Sequence, residues 1–232
     1  MTNLKSLKIQ RHFSATRMVV SSVGILCGVS GLEHGYFETL QGNVAPGGLM
    51  ISAIGSANRF WPGGTETALT IVPNFFITGI LAMLASLLVI IWAAAFVERK
   101  NGSAVFILLS ILQFLVGGGF AQIFLAILNG VAATRINAPL TWWRTHLPSA
   151  LRRWLARLWL WLLATFLLLF SIAIVMAVFG YFPVVSELLK LGAVDRTAFL
   201  YALGYFMLGL LPSAIIAGFA YDVEKSVSRD SA

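Results

Sequence analysis

Apolar residues in this chain come in five long runs, at about residues 17–37, 68–97, 103–134, 154–180 and 197–221. A helix needs roughly 20 mostly apolar residues to cross a bilayer. Between the runs lie a glycine-rich stretch at 38–67, a polar turn ERKNG at 98–102, an arginine- and tryptophan-rich segment at 135–153 and a linker at 181–196. The pattern predicts an all-α fold, a polytopic transmembrane helix bundle formed as a single integral membrane domain over 1–232. No sequence repeat or low-complexity tract interrupts it.

The third run is too long for one ordinary crossing, and Gly117, Gly118 and Gly119 stand near its middle. Each glycine costs up to about 1 kcal/mol in a helix interior. The three are hinge candidates, dividing the run into arms of about 14–16 residues, or ~21–24 Å as helix. The alternative is one long tilted helix with glycines for close packing.

Charge separates these alternatives. If all five runs cross once, the Lys and Arg residues divide evenly between the two sides. If the third run returns to its own side as a re-entrant hairpin, 13 of the 16 fall on one side and only Arg59, Lys190 and Arg196 on the other. Basic residues favour the cytoplasmic side, so the hairpin is the expected arrangement. It places the N-terminal segment 1–16 and the C-terminus in the cytoplasm, and the loop 38–67 outside it. No small-x-small cleavage site follows the first run, and Leu26 precedes Cys27, so that run reads as a retained helix.

Composition agrees with the pattern. The chain is 59% hydrophobic and 11% charged, against about a quarter charged in soluble domains. The net charge of +7 flanks apolar runs. It is read as topology and contact with anionic headgroups at 135–153, and not as a nucleic-acid surface. The bacterial inner membrane is the expected location. At 232 residues, a homo-oligomer or a partner subunit is expected.

Candidate chemistry lies in the few polar residues inside the runs. Thr70, Asn74, Thr78, Ala82 and Ser86 recur at steps of four. Such a stripe packs helices closely, or makes Asn74 a ligand or gate residue. Gln122, Ala126 and Asn129 share one face of the second arm, and Gln113 lies on the first. Amides need partners in hydrocarbon, so these face protein or water. Simple bonding between helices and a polar pathway both fit. The fourth run is bulky on every side and is placed at the periphery. Pro212 in the fifth is a kink candidate.

The segment GLEHGYFETLQGN, 31–43, holds Glu33, His34 and Glu38 at the outer end of the first run. Three readings stand. The groups sit at the interface and touch water. Or they form a proton or cation site, since ionisable residues within membranes commonly mark such paths. Or His34 and Glu38, at i and i+4, supply two ligands of a metal site that Glu66 or Glu33 would have to complete. No phosphate loop, CxxC pair or Ser/His/Asp triad is present, and no cofactor is implied.

The stretch GLEHG…LQGN, the later VPNF, the GGG and the basic segment after it resemble a group of multi-pass bacterial membrane proteins without an assigned function. The resemblance runs from about residue 18 to 136. That group has prolines soon after the glycines, where this chain has Ala121 and Gln122. It implies a membrane protein and supplies no substrate. The leading expectation is a transport-related protein, a permease-like unit or membrane subunit, whose polar interior holds Glu33, His34, Asn74, Gln113, Gln122 and Asn129. The alternatives are a membrane enzyme using Glu33, His34 and Glu38, and a scaffold.

Overall fold

A computed structural model describes residues 14–190 and 192–230. Most of the N-terminal segment 1–16, with Lys5, Lys8 and Arg11, lies outside the described residues. The elements run α1 (Ala15–Thr39), β1 (Met50–Ser52), β2 (Thr67–Leu69), α2 (Phe75–Ala95), α3 (Gly102–Leu115), α4 (Phe120–Ala133), α5 (Thr141–His146), α6 (Ser149–Phe179), α7 (Pro183–Leu189) and α8 (Ala193–Asp230). The fold is an all-α bundle with one small antiparallel hairpin, β1–β2. Among the described residues, α1, α2, α6 and α8 are long and apolar enough to cross a membrane. The chain is thus a multi-pass integral membrane protein.

The third run breaks at its glycines into α3 and α4, of 14 residues each. Gly117 and Gly119 have φ of +102° and +97°, a region that L-residues rarely adopt, and the helix cannot continue through it. The Asn137 amide, just beyond α4, donates to the Glu98 carbonyl just before α3 (2.7 Å). The hairpin therefore leaves and rejoins the bundle at one end.

That end also gathers both outer helices. The Asp222 carboxylate of α8 accepts from the Ser14 hydroxyl (2.8 Å) and from the Ala15 and Thr16 amides (2.8 and 3.0 Å). It occupies the N-terminus of α1, where free N–H groups and the helix dipole favour an anion. Arg17 pairs with Glu98 at 2.9 Å, and Arg152 pairs with Glu224. We call this the basic end.

At the opposite end, the 38–67 stretch docks on the bundle. The Gln41 side chain donates to the Ser52 and Ala53 carbonyls (3.0 and 2.7 Å). The Trp61 indole donates to the Ala177 carbonyl (2.9 Å), and Ile54 is fully buried with Phe37 and Val178. The chain then enters α2 later than its apolar pattern suggests. Residues 67–69 form β2, the Thr70 amide is taken by the Leu49 carbonyl (2.9 Å), and the chain turns tightly at Pro73, where the Asn74 amide donates to the Val72 carbonyl (2.9 Å).

The main core lies toward the basic end, where Val19, Val20 and Val23 of α1 meet Phe106 of α3, Phe166 of α6 and Leu211 of α8. α6 begins at Ser149, five residues before the apolar run, because Arg152 is tied to Glu224 and to the Arg144 carbonyl. The 135–153 segment is therefore divided between α5 and the first turn of α6. α6 is also two-sided: Trp159, Leu163, Phe166, Phe170 and Met176 are buried, chiefly toward α8, while Leu160, Trp161 and Leu168 are exposed. Pro212 lies inside α8, which continues past it.

Candidate functional site

α1 carries the polar residues because its packing face is built from small ones. At Gly35 an added Cβ would lie 2.6 Å from the Gly79 carbonyl oxygen of α2, so the two backbones touch. A Cβ at Gly31 would overlap the Gln113 amide and the Ser86 hydroxyl. Close contact of this kind is how helices gain van der Waals energy in lipid.

The hairpin amides fasten onto that face. Gln113 Nε2 donates to the Cys27 carbonyl (3.0 Å) and the Ser86 hydroxyl (3.1 Å), joining α1, α2 and α3. Asn129 Nδ2 donates to the Val20 carbonyl (2.8 Å). Gln122 Nε2 donates to the Ser30 hydroxyl and lies 3.4 Å from His34 Nε2. Three amides expected in the interior are all there. Gln113 and Asn129 act as ties between helices, and Gln122 belongs to the ionisable cluster.

That cluster centres on His34, which is fully buried. Its Nε2 lies 3.4 Å from a Glu66 carboxylate oxygen and 3.9 Å from one of Glu33. Glu66 had entered the reading only as a possible third ligand. It is the residue before β2 and has φ of +43°, a conformation that costs a non-glycine residue about 1–2 kcal/mol. Its backbone is held there by the Ala53 amide, which donates to the Glu66 carbonyl (2.8 Å). Backbone strain that directs a carboxylate onto a buried imidazole is characteristic of functional sites.

Glu38 has a different place. It is fully buried, neither carboxylate oxygen has a hydrogen-bond partner, and Gly117 at the hairpin tip packs directly on the carboxyl group. His34 and Glu38 are therefore not hydrogen-bonded to each other, despite their spacing. Among the described residues, no three His, Cys, Asp or Glu side chains come together as metal ligands. The tip itself is stitched to the segment before α2. Ile71 N–H donates to the Leu115 carbonyl (3.0 Å), and the Thr78 hydroxyl to that of Val116 (2.6 Å).

Asn74 stands apart from the polar interior. It caps α2, its side chain accepting from the Ile77 amide (3.0 Å), and it bonds to Asn43 near the loop surface. Its type is explained by capping, which the step-of-four pattern concealed.

The cluster opens onto a cavity of about 760 Å³ between α1, α4, α6, α8 and the 61–67 segment. Ser30, Glu33, Glu66 and Gln122 form its polar end. The rest of the wall is largely apolar or aromatic, including Phe124, Phe170, Ile174 and Met207. Nothing in the sequence pointed to this space, because apolar cavity walls and lipid-facing walls use the same residues. The geometry can hold a charge, pass a proton between carboxylate and imidazole, and admit an apolar body. Comparison with protein-family models, curated proteins and solved structures returned no match.

Proposed function

We propose that this chain is a transport-related, permease-like membrane unit. The cavity is its substrate chamber, and Glu33, His34 and Glu66 are its proton- or cation-exchanging group. One observation carries the reading: the two carboxylates that flank the buried His34 imidazole line a large, mostly apolar cavity. Ionisable groups cost several kcal/mol in hydrocarbon and persist there mainly where they do something. A fully packed structural ion pair would have no need of a chamber beside it.

Orientation follows from charge. Arg17, Arg99, Lys100, Arg135, Arg144 and Arg152 belong to the basic end, which we assign to the cytoplasmic side of a bacterial inner membrane. The α5 region, with Trp142 and Trp154 exposed, then rests against anionic headgroups. The cavity and the docked loop face outward. The resemblance to multi-pass bacterial membrane proteins fits this placement.

Proton flux tests the reading. Purified protein is reconstituted in vesicles containing a pH-sensitive dye, and a potassium diffusion potential is applied. Wild type is expected to acidify the lumen well above protein-free vesicles, and Glu33→Gln and His34→Asn to fall to that baseline while still unfolding cooperatively. Wild-type flux equal to the baseline, or full flux in both variants, refutes the reading and leaves the enzyme and the scaffold.

A further inference from the structure

Taking the cavity as a substrate chamber, we propose that its substrate is an amphipathic organic cation. Its charged head rests against Glu33 and Glu66, and its apolar body lies along α4, α6 and α8. This rests on the transport reading for its purpose but on separate observations for its chemistry.

The first observation is sign. Two carboxylates stand at one end of the cavity, and no lysine or arginine is among the residues lining it. Among the described residues, the one group beside them able to carry positive charge is the His34 imidazole, a single site against two carboxylates, so a cationic head is attracted there over several ångströms and an anionic one is not. The second is aromatic placement. Trp61, Tyr201 and Tyr205 all line the cavity, and aromatic faces attract organic cations when desolvated. Trp61 is fixed by its bond to the Ala177 carbonyl.

The third is shape. The lining of α8 runs from Thr197 to Leu208, or about 16 Å along the helix axis. The acidic groups sit at one end only. A volume of about 760 Å³ falls in the range of sites for drug-sized ligands. The fourth is access. Tyr201 and Tyr205 are 68% and 75% exposed, and Phe124 across the cavity is 52% exposed. The rim between α4 and α8 therefore faces lipid, where amphipathic cations partition. Gly204 lies between the two tyrosines, and a Cβ there would meet nothing within 4 Å. The protein leaves room at that point that an alanine would not have strained.

Tetraphenylphosphonium and tetraphenylborate have the same shape and opposite charge, and their binding to purified protein in detergent tests the proposal. The cation is expected to bind saturably and at least ten-fold more tightly than the anion. Gly204→Leu, whose Cβ meets nothing within 4 Å and whose side chain takes up cavity space, should weaken cation binding at least ten-fold while the protein still unfolds cooperatively. Glu33→Gln with Glu66→Gln should erase the preference between the two ions. Equal binding of both ions by wild type, or undiminished binding by Gly204→Leu, overturns the proposal. Cation binding in a protein that moves no protons keeps this site and sinks the transport reading. Proton movement in a protein that binds both ions alike does the reverse.

Discussion

The joint between Gly31 and Gln113 allows a quantitative test of how this bundle is held. In Gly31→Ala the new methyl overlaps the Gln113 amide, and its Cβ would lie 2.9 Å from Gln113 Cδ. The amide must swing away and give up its bonds to Cys27 and Ser86. Overpacking costs about 1–3 kcal/mol. Hydrogen bonds between helices in lipid average only about 0.6 kcal/mol each, so losing two adds roughly 1. Replacing a helical glycine by alanine returns up to about 1 kcal/mol. The net expectation is a loss of about 1–3 kcal/mol, with the clash as the main contribution. Gln113→Ala alone loses the same two bonds and leaves a void. In the double variant the methyl enters that void, so the clash with the amide disappears and only the contact with the Ser86 hydroxyl remains. The sum of the single changes counts the two lost bonds twice and includes a clash that the double variant largely relieves, so the pair should be more stable than that sum by about 1–3 kcal/mol, a coupling expected of touching groups. Equilibrium unfolding of the four proteins in mixed detergent reads this directly, with Gly204→Ala as a control expected to cost nothing. Additivity within about 0.5 kcal/mol would refute the claim that the two residues compete for one space.

Other expectations follow from separate contacts. Gly117→Ala combines left-handed backbone strain, about 1–2 kcal/mol, with a methyl against the Glu38 carboxyl group. It should lower the unfolding temperature more than Gly209→Ala, whose Cβ meets nothing within 4 Å. Asp222→Ala removes the acceptor for Ser14, Ala15 and Thr16 and should cost about 1–2 kcal/mol, the usual value of a helix cap, whereas Asp222→Asn should recover part of it. Trp61→Phe loses the bond to Ala177 and should accelerate protease cleavage within 47–56, while unchanged cleavage would show that the loop is held elsewhere. With Cys27 replaced, cysteines at Lys100 and Thr145 should react with an impermeant maleimide from one side of the membrane and a cysteine at Ser56 from the other. Matching behaviour at Thr145 and Ser56 would mean that α3 and α4 do not return.

The hairpin was legible because two independent signals agreed. Three adjacent glycines marked a break in a run, and the arginines beyond it joined the other basic residues on one side only if the chain came back. The inward amides were legible too, since Gln113, Gln122 and Asn129 have no place in lipid. Asn74 misled because a capping residue at the start of an apolar helix continues the spacing of that helix by coincidence. Glu66 was hard to weigh because its role depends on the 38–67 stretch folding back. That docking rests on contacts such as those of Trp61 and Ile54 with distant residues, which no local pattern encodes. The start of α6 was obscured by Arg152 and Arg153, which look like interfacial charges until Glu224 is seen beside the first of them.

The crowding of small and polar groups on α1 has a consequence for how the protein is made. Of the four long helices it is the least hydrophobic and the most enclosed, with His34, Glu38 and Ser30 all turned inward. Synthesis proceeds from the amino end, so α1 leaves the ribosome before α2, α3 and α4, which cover that face, have been made. On its own it offers lipid a helix with an imidazole and two carboxyl groups and no partners for them. Stable insertion therefore belongs to the α1–α2 pair at the earliest, and its polar face closes only when the tip of the returning hairpin arrives at Glu38. α1 thus waits for three later elements before its polar face is covered, and insertion has to tolerate that exposed face in the interval.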